Sequence, residues 1–294
     1  MAMPENATTL LNAAGWTQAK AHALPADFST RRFWRLIKDQ QTAILMQAPP
    51  EQKTPEFLYV ADLLQQAGIA APKILAADAA QGLVLMEDFG DGNLGKLVDG
   101  EQAGEPDYQR AVLLLAKLHQ AYPAAGIDNL PHFDAALFAE QVLWFIDFYW
   151  PYAKGSAATN SVRESFRTLW FDLLQLLEKL PQSLLLRDFM PDNLMRLGDG
   201  RLGVLDFQDA GWGSIAYDIA SLCECVRRDV PLARLENMID YYLSLNPIMT
   251  RANLEQACYL LSAQRHLRML GNIARFAKDP AKNFRLAFMP RIWR

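Results

Sequence analysis

The chain has 294 residues, 51% of them hydrophobic and 21% charged, with a net charge of −4. That is enough apolar material for a sizeable core in one large or two moderate domains. The slightly acidic balance excludes the basic field that drives nucleic-acid binding, and no apolar run approaches the roughly 20 residues of a membrane helix. The opening MAMPENATTLLNAAGW has neither a basic n-region nor a long apolar stretch, and reads as no secretory signal. Three cysteines, Cys223, Cys225 and Cys258, and four histidines form no metal-spaced cluster. A reducing, cytoplasmic setting is the expectation, without nucleic acid or membrane as a partner.

In chain order, FWRLI (33–37) and TAILMQ (42–47) are short, apolar and separated by KDQQ, which predicts a hairpin. Thr54 and Pro55 open a helix with Phe57, Val60, Ala61 and Leu64 on one face and Gly68 at its end. PKILAAD and GLVLMED predict two further strands, and FGDGNLGK is the glycine-rich connection where a lobe boundary is expected. From about residue 107 the apolar spacing turns to three and four, in segments such as DYQRAVLLLAKLHQ, FDAALFAEQVLWFIDFYW, SFRTLWFDLLQLLEKL, AYDIASLCECV and NLEQACYLLSAQRHLRML. Only LLL, NLMRL and LGVLDF interrupt them as short strands. The expectation is a strand-rich front lobe over residues 1–88 and a helical back lobe over 89–294.

Two polar clusters follow apolar strands. In LLLRDFMPDN (184–193), Asp188 stands five positions before Asn193; in LGVLDFQDA (202–210), Asp206 ends an apolar strand as Asp188 does. GDGR (198–201) reads as a turn, so NLMRL and LGVLDF pair as a hairpin that brings Asn193 and Asp206 to one end. One carboxylate and one amide oxygen, completed by water and phosphate oxygens, suit Mg²⁺. Asp188 is left to accept a proton from a hydroxyl. Singly, each is an ordinary turn carboxylate or cap; the chemistry rests on the set.

RDFMPDN resembles the catalytic loop of protein kinases and their small-molecule relatives, and LDF resembles the metal-binding segment that follows it. With LLLAKLHQ (113–120), GSIAYDIASL and QRHLRMLGNIARFAKD, the pattern over residues 28–294 resembles the aminoglycoside-phosphotransferase-like kinase family. Within it, the motifs resemble the bacterial sugar-kinase branch that includes the anomeric N-acetylmuramate and N-acetylglucosamine kinases. The resemblance implies an α+β, two-lobed protein-kinase-like fold, with a small antiparallel-sheet N-lobe and a larger, mainly helical C-lobe. It implies Asp188 as base, Asn193 and Asp206 as metal ligands, ATP and Mg²⁺ as cofactors, and adenine against the backbone of Met86, Glu87 and Phe89. Asp218 in YDIASL would brace the catalytic loop, although an aspartate there also suits a helix cap. The acceptor is then a sugar hydroxyl.

The chain departs from the family pattern in three places. Leu186 replaces the usual loop histidine; no glycine-rich phosphate loop lies between the first strands; and Met46 stands about where a phosphate-pairing lysine belongs. FSTRRFWRL offers Ser29, Thr30, Arg31 and Arg32 instead, so Arg31 or Arg32 is the expected replacement cation. In WFIDFYWPY, Trp144, Phe148 and Tyr152 share a helical face that is ordinarily core. A cleft-lining role for Trp144, with Asp147 accepting sugar hydroxyls and Arg265 meeting an anionic sugar, is the sharper reading. Two other functions compete: a nucleotide-binding pseudokinase, favoured by the lost lysine, and a kinase for an aminoglycoside or choline-like cation. The latter calls for an acidic cleft, whereas QRHLRMLGNIARFAK is basic.

Overall fold

The computed structural model describes residues 3–25, 30–49, 52–123 and 129–293. Ser29 lies outside them. The strands are β1 Lys20–Ala23, β2 Arg32–Lys38, β3 Gln41–Gln47, β4 Ile74–Asp78, β5 Leu83–Glu87, β6 His132–Phe133, β7 Gln182–Leu185, β8 Leu194–Arg196, β9 Leu202–Val204 and β10 Gly211–Ser214. The helices are α1 Ala7–Ala13, α2 Thr54–Gln66, α3 Leu94–Asp99, α4 Glu105–Ala121, α5 Ala135–Trp144, α6 Trp150–Lys154, α7 Asn160–Gln175, α8 Ala216–Cys223, α9 Leu232–Leu245, α10 Arg251–Arg275 and α11 Met289–Ile292. No helix among the described residues is long and apolar enough to cross a membrane.

Two compact units emerge, and the chain passes between them more than once. The first comprises residues 1–102 and 191–209, the second 103–190 and 210–294. The division expected at 88/89 therefore falls elsewhere, for a physical reason. Arg196 donates its backbone N–H to Gly92 at 2.7 Å, and the Asn93 amide donates to the Asp192 carbonyl at 2.6 Å. These bonds bind the stretch after β5 and the β8–β9 hairpin into the first unit.

In the first unit five strands form one antiparallel sheet in the order β1-β2-β3-β5-β4. The β2–β3 hairpin is the one the sequence predicts, closing at Lys38 and Gln41. Period-two alternation puts Trp34 and Leu36, Ala43 and Leu45, and Leu83 and Leu85 into a core shared with Ala7, Leu11 and Trp16. Beyond the sheet, α2 buries Phe57, Val60, Ala61 and Leu64, the face its spacing predicts. The ring of Phe57 stacks on Phe207 with centroids 4.7 Å apart, which anchors the residue after Asp206.

The second unit is mainly helical, with α10 packed on α5 and α8. It also holds a small sheet in the order β6-β10-β7. β10 escapes sequence reading because GWGS looks like a turn. Gly211 is required there by packing: a β-carbon would lie 2.5 Å from the Pro131 carbonyl oxygen. Residues Phe145–Tyr149 form a π-turn between α5 and α6. That insertion slips the helical phase, so Trp144, Phe148 and Tyr152 do not share the single face that four-residue spacing predicts.

Candidate active site

The β8–β9 hairpin carries the two residues the sequence assigns to metal. Leu194 pairs with Val204 and Arg196 with Leu202, and the Leu205 N–H donates to the Asn193 carbonyl at 2.8 Å. Asn193 and Asp206 are thereby brought to one end of the hairpin, as the turn at 198–201 predicts. Phe89 lies across the same hairpin, close over Gly203: a β-carbon there would come 2.4 Å from the Phe89 ring, which would have to shift.

Asp206 has a left-handed backbone, φ 58°. A non-glycine residue held there stores strain and is found where a side chain must be aimed. Two donors grip its Oδ1: Arg31 at 2.9 Å and the Gln208 amide at 3.0 Å. Arg31 also donates to Gln208 Oε1 at 2.8 Å and to the Gln52 carbonyl at 2.9 Å. The two neighbouring arginines differ sharply: Arg31 is 4% exposed, while Arg32 points to solvent. Met46 is fully buried between Phe33 and Val84 and offers no cation. Asp209 is ion-paired to Lys53 at 2.6 Å.

The donor set at Asn193 and Asp206 consists of hard oxygens on a half-buried carboxylate and an amide. It fits Mg²⁺ with phosphate oxygens completing the shell, and it contains no soft ligand that would favour zinc. Among the described residues no group of three or more histidine, cysteine or acidic side chains could form a closed metal cage.

Near the segment expected to face adenine, Arg35 of β2 holds the turn after β5, bonding Asp88 at 2.7 Å and Asp91 at 2.9 Å. Sequence reasoning missed Arg35. Its signal was only a charge in an apolar strand opposite a two-aspartate turn. Of the three residues expected to face adenine, Met86 is buried in the sheet and Glu87 spends its N–H on the Lys73 carbonyl at 2.9 Å.

Asp188 belongs to the second unit, at the end of the run leaving β7. The Asp218 side chain, wholly buried in the first turn of α8, accepts the backbone N–H of Leu186 at 2.5 Å and of Arg187 at 2.9 Å. It is not a cap of its own helix. Arg187, immediately before Asp188, has φ 69°, and its guanidinium lies 4.9 Å above the Phe133 ring. Burial pushes the Asp218 carboxyl up to about 7, while the two N–H bonds and the charge of Arg265 draw it down.

The tentative acceptor residues come out differently. Both oxygens of Asp147 are taken by Arg163, at 2.8 and 3.1 Å, which leaves a surface ion pair in place of a sugar acceptor. Trp144 is half-buried, with its backbone against Gly271. Arg265 is 2% exposed, with Nε and one terminal nitrogen closed to solvent, so a sugar cannot reach those atoms. The sequence offers Arg265 to an anionic sugar because a long helix shows no sign of which face meets α8.

Residues 20–254 match the family model described as "Phosphotransferase enzyme family" (APH). The chain belongs to that family. Two relatives are named N-acetylmuramate/N-acetylglucosamine kinase. One, from Caulobacter vibrioides, is 28% identical over 96% of this chain and 88% of its own. The other, from Pseudomonas aeruginosa, is 30% identical over 97% and 86%. Among solved structures, the ADP-bound aminoglycoside phosphotransferase APH(2'')-Ib superposes with a TM-score of 0.66 at 13% identity, covering 99% of this chain and 97% of that one. At that identity the likeness establishes the fold, which is protein-kinase-like.

Proposed function

We propose that this chain is an ATP-dependent kinase for the hydroxyl of an amino sugar such as N-acetylmuramate or N-acetylglucosamine. The observation that carries the reading is the β8–β9 register, which seats Asn193 beside Leu205 and Asp206. Asn193 and Asp206 would hold Mg²⁺, which when bound neutralises phosphate charge. Arg31 steadies the Asp206 carboxylate and supplies the positive charge that Met46 cannot. Phe89 and the turn held by Arg35 present the adenine surface. Asp188 accepts the proton of the attacking hydroxyl. An anomeric hydroxyl is more acidic than an ordinary alcohol, so the demand on this base is modest. Phosphoryl transfer depends chiefly on positioning and charge neutralisation, so this short roster suffices. Three free, buried cysteines accord with a reducing, cytoplasmic setting.

The test is ADP release with ATP and Mg²⁺ across a panel of N-acetylmuramate, N-acetylglucosamine, choline and an aminoglycoside. Turnover confined to the sugars supports the reading. Turnover with the cations alone would transfer the site to that substrate class. Nucleotide binding with no acceptor turned over would leave a pseudokinase.

A further inference from the structure

Arg265 sits on α10 with its guanidinium 5.7 Å from the centre of the Tyr217 ring. It is 2% exposed, and its Nε and NH1 have no hydrogen-bond partner among the described residues. A permanently charged group buried in this way costs several kcal/mol unless a carboxylate offsets it. The residue following Tyr217 is Asp218, whose exposure is 0%. Asp218 faces the mirror problem, as a buried acid whose two oxygens each accept a backbone N–H.

We propose that Arg265 is a positioning residue for Asp188, acting as the counter-charge that lets buried Asp218 hold the backbone of Leu186 and Arg187. This rests on the kinase reading only in making Asp188 the base. The chain of contact is short. Ionised, Asp218 has an acceptor for each N–H. Protonated, one oxygen carries a hydrogen and accepts only weakly, so one of the two buried N–H groups is held less well. Arg187 then has less to hold its left-handed backbone, which is intrinsically disfavoured for a side-chain-bearing residue. Asp188 is next in the chain, and a displacement of about 1 Å at a reacting group costs on the order of a hundredfold in rate.

Arg265 from α10 and Asp188 from the loop act on Asp218 with opposite effects. Arg187 contributes its backbone, while its side chain is engaged with Phe133. Glu224, just past α8, also feels Arg265, and it faces His266 at 3.9 Å, which burial keeps neutral. Arg268 donates to the Tyr217 hydroxyl at 3.3 Å. Arg265 thus meets the start of α8 through the ring of Tyr217, the residue before Asp218. Rings continue the arrangement: Phe133 stacks on Phe138 and Phe138 on Tyr217, with Arg187 at one end and Arg265 at the other.

The test compares the full-length parent with Arg265→Met and Arg265→Lys. Sugar-dependent ADP release is followed from pH 6 to 9. For Arg265→Met the acid limb of kcat should move up by about one pH unit, with a tenfold loss at pH 6.5 and a loss of under threefold at pH 8.5. KM for ATP and for sugar should be unchanged, and Arg265→Lys should restore the parent profile. Amide-exchange protection of Leu186 and Arg187, read without substrate, should fall in Arg265→Met as pH is lowered from 8.5 to 6.5. A uniform loss of kcat at every pH, or unchanged protection, would overturn the proposal. If Arg265→Met does not fold, Arg265→Lys and the pH dependence of protection in the parent decide it: protection flat across pH 6–9 overturns it. Should no sugar be turned over, the exchange measurement still tests Arg265 separately from the kinase reading.

Discussion

Arg31 donates to Asp206 at 2.9 Å from a position almost sealed from solvent, although 175 residues separate the two in sequence. The pair joins the segment before β2 to the carboxylate assigned to metal. Arg32, one residue on, is exposed, because successive residues of an extended chain face opposite ways. Arg31→Ala should therefore raise KM for ATP at least tenfold, or ~1.4 kcal/mol, and leave KM for the sugar little changed. Arg32→Ala should do almost nothing. Steady-state titration of ATP with both variants checks the contrast; parent-like ATP affinity in both would remove the arginine from phosphate binding.

Asp188→Asn should fold like the parent and bind nucleotide as well, while kcat falls ~10²-fold or more, the usual range for a lost general base. Single-turnover phosphorylation beside a thermal melt separates chemistry from folding. Unchanged turnover would take Asp188 out of the mechanism.

Asp206→Ala deletes the only charged protein ligand assigned to Mg²⁺. Calorimetry with ATP should show that Mg²⁺ strengthens binding to the parent and not to the variant. Equal affinity of the two proteins in Mg²⁺ would refute the assignment.

Gly203→Ala drives a methyl into the ring of Phe89, 2.4 Å away. The ring must shift, at a cost of about 1–3 kcal/mol, and the adenine surface shifts with it. A lower urea midpoint together with a raised KM for ATP is expected. A parent-like midpoint would mean the ring swings aside freely.

Buried His119 has its titration lowered to about 3 by desolvation, and its Nδ1 lies 2.9 Å from the Tyr242 hydroxyl. Its folded pKa is below the unfolded value, so its stability contribution is present above about 6.5 and is lost as pH falls towards 3. Over that window the unfolded chain binds the extra proton, and stability drops by up to ~1.4 kcal/mol per pH unit. Urea midpoints at pH 7, 6 and 5 should decline more steeply for the parent than for His119→Gln. Parallel declines would show that this histidine is not the acid-sensitive group.

Local pattern was enough for much of the first unit and for the hairpin that carries Asn193 and Asp206. The β2–β3 pair, α2 and the β8–β9 turn each declare themselves within a dozen residues by alternation, capping and turn chemistry. The short β10 did not, because its glycines answer to Leu185 and Phe133, which are distant in sequence. Nor did the π-turn at Phe145–Tyr149, since apolar spacing carries no mark of a single inserted residue.

From the sequence alone came the kinase-like class, through its resemblance to known kinases, the candidate set Asp188, Asn193 and Asp206, and the absence of the usual lysine. Those are matters of residue identity and short spacing, which covalent connection preserves. Which arginine turns inward, where the units divide, and that Asp147 is spent on Arg163 were decided by tertiary structure. So was the place of Arg265, a candidate sugar contact by its sequence and a sealed charge by its packing. For the arginines the reason is that a long charged side chain can reach several partners, and only packing selects one; the units divide as they do because Gly92 and Asn93 bond to residues about a hundred positions on.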